Sequence, residues 1–166
     1  MVTYDLYAIL LTCLLVLCFQ RAGGALMIYR GIRVIQCPET AQPAAVGLRA
    51  WRVAASAILR TPLRIGECSR WPERGDCDQA CVRAIQADPA ASLVTTILAG
   101  WWQNRSCVCC GASLKKIRPG RHSPCFMGPG LRMIEWKDIA PQNIPEMLAS
   151  SRPVCRTCLV AETHTW

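Results

Sequence analysis

The stretch Cys107-Val108-Cys109-Cys110-Gly111, answered after 44 intervening residues by Cys155-Arg156-Thr157-Cys158, decides how the rest of this 166-residue chain is read. A Cys-x2-Cys turn puts two thiols on one side of a tight knuckle. The glycine after the first knuckle lets the backbone fold so that its amides point at sulfur. Two such knuckles facing each other make a tetrahedral set of four sulfurs, the arrangement zinc prefers. Disulfides and an iron-sulfur cluster are the competing uses of the same thiols.

Outward from the knuckles, the composition separates into two parts. The chain has 12 cysteines, is 52% hydrophobic and 18% charged, and carries a formal charge of +8. Much of the apolar content is concentrated in residues 2 to 19, VTYDLYAILLTCLLVLCF, whose single charge is Asp5. A helix of that length rises about 27 Å, enough to cross the hydrocarbon core of a bilayer. A cleaved signal peptide is the alternative, with the small residues Ala22, Gly23, Gly24 and Ala25 behind it. Against cleavage, the segment before the apolar run has no Lys or Arg. Cys13 and Cys18 read as apolar residues of the helix. Arg21, Arg30 and Arg33 follow the span, so the positive-inside rule puts the remainder of the chain in the cytoplasm. Thiols are kept reduced there, which favours metal over disulfides.

The expected organisation is a transmembrane helix over residues 1–20, a basic juxtamembrane linker over 21–33, and a cysteine-rich metal-binding domain over 34–166. The fold class is α+β, with short strands and two or three helices. Val34 to Thr40 reads as a strand, and Ala45 to Ile65 as further extended structure. Cys77 to Ala87 reads as a helix. Asp88 and Pro89 look like the N-cap and first residue of another, running to Trp102, with Leu93, Val94, Ile97, Leu98 and Trp101 on its core face. Leu131 to Trp136 is a strand, and Pro145 opens a short helix. Trp101 and Trp102, adjacent on a helix, are not expected to share one core.

The paired knuckles resemble those of zinc-ribbon proteins, over roughly residues 105–160. The resemblance implies a structural zinc held by Cys107, Cys110, Cys155 and Cys158, and no catalysis. The spacer is longer than the ~15–20 residues of a compact four-cysteine site, and Cys109 is an additional thiol. Cys37, Cys68, Cys77 and Cys81 make a second candidate set of four, with Cys77 and Cys81 one helical turn apart. One or two zinc ions are therefore expected. The other readings of the second set are two disulfides or four half-buried free thiols. Covalent haem is excluded, because Gly111 and Leu159 stand where histidine would follow each knuckle. Cys109, Cys125 and His122 are left as a redox pair, substitute ligands or packed residues, and His164 as a solvent-exposed side chain.

Two stretches contain no acid. Residues 40–66 carry Arg49, Arg52, Arg60 and Arg64; those between Asp88 and Glu135 carry Arg105, Lys115, Lys116, Arg118, Arg121 and Arg132. For a membrane-tethered domain, anionic headgroups or an acidic partner subunit are nearer targets than nucleic acid. Six tryptophans, one of them the last residue Trp166, suit an interface. No nucleotide loop, GxSxG or HExxH occurs. The function expected is that of a non-catalytic, single-span accessory or assembly subunit of a larger membrane complex, with a respiratory or photosynthetic complex as one home. A thiol or iron-sulfur redox protein and an exported disulfide-rich binding protein are the alternatives.

Overall fold

The computed structural model describes residues 2–73, 75–114 and 125–163. It is a mixed α/β structure in which the backbone divides into two compact units: Met1–Gly31 with Val46–Pro89, and Ile32–Ala45 with Ala90–Trp166.

In the first unit, helix α1 (Val2–Tyr29) runs for 28 residues, about 42 Å at the usual rise. It is long and apolar enough to cross a membrane, with no amphipathic face, as a signal sequence near an N-terminus also is. The helix continues through Gly23-Gly24, where the sequence suggests a connector. The reason is packing: α2 (Ala50–Leu59) lies against α1. Cys18, Ala22, Gly23, Ala25, Leu26 and Tyr29 are half-buried, whereas every α1 residue from Tyr4 to Leu17 is exposed. Small residues at helical spacing let a second helix approach closely and offset the helix cost of glycine, about 1 kcal/mol each.

Helix α2 itself corrects the extended reading of residues 45–65. Its four alanines, at 50, 54, 55 and 57, are strong helix formers, and Val53 is buried against the unit's interior. Arg60 ends it in the left-handed region. Gly66 follows closely, where a Cβ would collide with the Arg49 side chain and lie 3.0 Å from its amide. Helix α3 spans Cys81–Ala87, so Cys77 falls outside it. The Asp78 carboxylate accepts the Ala80 amide at 2.8 Å and Gln79 adopts φ 59°, a turn that starts the helix later than expected.

The second unit opens with β1 (Arg33–Gln36), in which Arg33 is fully buried instead of lying in a solvated linker. The last two residues of β2 (Pro43–Gly47), Val46 and Gly47, belong to the first unit, where they pair with Cys68 and Glu67 of β3 (Glu67–Cys68). Helix α4 (Val94–Trp102) begins six residues after Asp88, which instead closes α3 by donating its amide to Ala84. The residues between are held by β1: the Val34 amide donates to Ser92, and Val94 to Ile32. Tertiary hydrogen bonds there override the local capping signal.

Three short strands finish the unit, in the order β5–β4–β6, all antiparallel. They are β4 (Cys125–Met127), β5 (Met133–Glu135) and β6 (Arg152–Val154), with α5 (Ile144–Ser150) before β6 and α6 (Arg156–Thr163) after it. Alternation along central β4 sorts the core. Phe126 joins Val34, Val94, Leu98, Trp102 and Ile144 in one cluster, while Cys125 joins Cys107 and Val154 in another. Both Trp101 and Trp102 touch Phe126, at 5.3 and 6.1 Å between ring centroids, so one core accepts both indoles. Trp101 achieves this by lying half-exposed, its indole N–H donating to the Leu148 carbonyl and Arg105 stacked over its ring at 4.3 Å. Trp102→Ala should cost about 3–5 kcal/mol of unfolding free energy, measured by denaturant titration of the full chain.

Candidate metal centre

The first knuckle hangs from a small antiparallel turn of chain. Ser106 bridges Ser113, and the Leu114 amide donates to Arg105 at 3.0 Å. Between them, Cys107 accepts the Gly111 amide at its carbonyl (2.9 Å) and donates its own amide to Ala112 (2.9 Å). That path requires Gly111 at φ +72°, the left-handed conformation its lack of a Cβ allows. The second knuckle grows from β6, with Cys155 directly after the strand and Cys158 in the first turn of α6. A further bond joins the two halves: the Val108 amide donates to the Pro153 carbonyl at 3.0 Å.

These supports bring Cys107, Cys110, Cys155 and Cys158 together, with all four sulfurs within 4.8 Å of one another. Cys107 Sγ lies 3.8 Å from Cys158 Sγ, and Cys110 Sγ lies 3.7 Å from Cys155 Sγ. Four thiolates about 2.3 Å from a central ion define a tetrahedron with edges of about 3.8 Å. The group therefore has the size of a cage for one ion. In this structure the four are free thiols, with no pair at the ~2.05 Å of a disulfide. No protein-family model matches the chain, and no curated protein or solved structure shows significant similarity to it. The case for a metal centre thus stands on its geometry and chemistry.

The electrostatics of the cage suit a ligand set. Burial acts most strongly on Cys107 and pushes its thiol up, but the amides of Cys155, Cys110 and Cys109 together outweigh it and bring the thiol down to about 6. One of these donors is resolved at 3.2 Å, from Cys155 N to Cys107 Sγ. Cys158 is displaced the other way, well above the ordinary thiol range, because its proton is shared in hydrogen bonds with Cys155 and Cys110. One sulfur is thus prepared as an anion by fixed amide dipoles, and a cation entering the cage displaces the remaining protons.

The leftover thiols separate by burial. Cys109 sits on the exposed side of the knuckle, its thiol raised by partial burial and by the neighbouring Cys107 charge. Cys125 is wholly enclosed on β4, and burial pushes its thiol up to about 11. His122, with Lys115, Lys116, Arg118 and Arg121, lies outside the described residues, as do His164 and Trp166.

Among the described residues, the cage is the one group of three or more metal-ligating side chains brought together. Cys37 stands just after β1 in the second unit. In the first unit Cys68 is in β3, Cys77 lies in the loop before α3, and Cys81 is buried at the start of α3. The one-turn spacing that suggested a shared helix face for Cys77 and Cys81 does not apply, because the helix starts at Cys81. What sequence reading missed was the support: nothing in the spacing showed that β6 delivers the second knuckle or that Cys125 lines the cage from behind.

Two substitutions test this construction. Gly111→Ala should lose about 1–2 kcal/mol and weaken metal retention, because alanine resists the left-handed turn. Cys125→Ala should leave metal stoichiometry intact while lowering stability, whereas Cys110→Ala or Cys155→Ala should abolish tight metal binding; elemental analysis with thermal unfolding separates the three.

Proposed function

We propose that the chain is a single-span, membrane-anchored zinc protein that serves as an accessory or assembly subunit of a larger membrane complex. The observation that carries the reading is the four-sulfur cage with edges of 3.7 and 3.8 Å. Every position around an ion in that cage is filled by protein thiolate. Such closed sites hold structure together, whereas catalytic zinc keeps one position open for water or substrate. Several irons bridged by sulfide would hold the cysteines farther apart, so the dimensions favour a mononuclear ion over the iron-sulfur alternative.

The zinc-ribbon likeness is kept at the level of the two knuckles. The first sits on a bridged turn as in a ribbon, while the second leads into helix α6. Retention of α1 as an anchor is supported by its packing against α2, since a segment built into the fold has a structural role after synthesis. Arg21 and Arg30 at its C-terminal side favour a cytoplasmic domain. The subunit role rests on surface: Val108 at the tip of the first knuckle and Val160 on α6 are apolar and exposed beside the cage, where a partner would cover them.

Elemental analysis of the full chain purified in neutral detergent should find one zinc per chain. Removing it with a strong chelator should unfold the second unit, because structural zinc contributes on the order of 10 kcal/mol to small domains. Iron with visible absorbance would overturn the reading in favour of electron transfer.

A further inference from the structure

We propose that residues 49–64 form a binding site for the phosphate headgroup of an anionic phospholipid, beside the anchor helix. The inference rests on reading α1 as a membrane span. A cavity of about 340 Å³ opens on α2 and the chain that follows it, lined by Trp51, Arg52, Ala55, Thr61, Pro62 and Arg64. Two arginines and a threonine thus line one concave surface, and guanidinium and hydroxyl groups are donors that phosphate oxygens accept from. No acid lies nearby in sequence, for residues 40–66 contain none. Among the described residues, neither Arg52 nor Arg64 is recorded in an ion pair with a carboxylate. Arg52 is steadied instead by the Trp51 ring, 5.1 Å from its guanidinium carbon.

The apolar surroundings select a lipid over a free anion. Trp51, Ile58 and Leu59 are 65%, 41% and 69% exposed, on the side of α2 opposite buried Val53. Residues seven and eight apart on a helix share a face, so these three form one apolar strip next to the basic cavity. A tryptophan and two aliphatic side chains beside arginines match the boundary between acyl chains and headgroups. The position agrees, because α1 outruns the roughly 20 residues a bilayer needs, and its half-buried portion, from Cys18 to Tyr29, is its C-terminal part. The headgroup phosphate would lie between Arg52 and Arg64 with the Thr61 hydroxyl donating, and the acyl chains would cover Ile58 and Leu59.

Native mass spectrometry of the full chain in neutral detergent micelles, titrated with phosphatidylglycerol or phosphatidylcholine, tests this. Phosphatidylglycerol should be retained preferentially. The doubly substituted Arg52→Gln, Arg64→Gln protein, with helical circular dichroism unchanged, should bind it about tenfold or more weakly, and Arg52→Lys, Arg64→Lys should recover most of the loss. Equal retention of the two lipids, or undiminished binding by the glutamine variant, overturns the site. Inorganic phosphate binding as tightly as phosphatidylglycerol overturns the lipid assignment. Alkaline extraction of membranes reports on the anchor separately: a chain stripped into solution overturns the reading of α1, while headgroup preference in micelles still reports on the cavity alone.

Discussion

Four sulfur atoms have to meet in one small volume although the outermost, on Cys107 and Cys158, are 51 residues apart in the chain. Closing a loop of that length costs conformational entropy that two isolated knuckles would not recover. The second unit meets the cost in layers. The sheet β5–β4–β6 spans the loop, the Val108–Pro153 hydrogen bond clips one knuckle to the base of the other, and fixed amides hold Cys107 ready as an anion. An ion in the cage would turn this arrangement into a cross-link, which is why metal and fold are expected to stand or fall together.

The central strand β4 mediates between the cage and the core. Its three residues send Phe126 to the tryptophan cluster and Cys125 and Met127 to the sulfur side. A shift of one residue in register would exchange the two faces, placing a phenyl ring toward the knuckles and a thiol among the indoles. Packing of Trp101 and Trp102 on Phe126 therefore fixes the register that the cage needs. Hydrophobic burial on one face sets metal geometry on the other.

Legibility in the sequence followed the range of the interactions involved. The apolar segment at the N-terminus, the knuckles and the core face of α4 are local patterns, and they were readable. Where long-range contacts compete with local signals, the reading failed. Asp88-Pro89 has the composition of a helix start, yet backbone bonds from β1 take Ser92 and Ile32 as partners and delay α4 to Val94. Ala45 to Ile65 alternates well enough to suggest strands, yet its alanines form α2 once α1 supplies a face to pack on. Gly23-Gly24 reads as part of a linker for the same reason, since nothing local announces a helix that will lie alongside. The shared helix face read for Cys77 and Cys81 depended on placing Cys77 on α3, and the Asx turn at Asp78 leaves Cys77 outside that helix.

If the cage holds a structural ion, as proposed, all four positions around it are thiolate, and its contribution lies in the surface it holds rigid. That surface is uneven in a consistent way. Four thiolates around a divalent ion leave surplus negative charge at the centre, and Arg156 stands between the two ligands of the second knuckle, close enough to act on the Cys125 thiol. Outside this shell come Val108 and Val160, apolar and open to solvent. In the first unit Trp51 lines a cavity together with Arg52 and Arg64, and Ile58 and Leu59 are exposed on the same helix. In both units exposed apolar residues accompany the polar chemistry. On the proposed function, the bilayer would cover those of the first unit and another subunit those of the second.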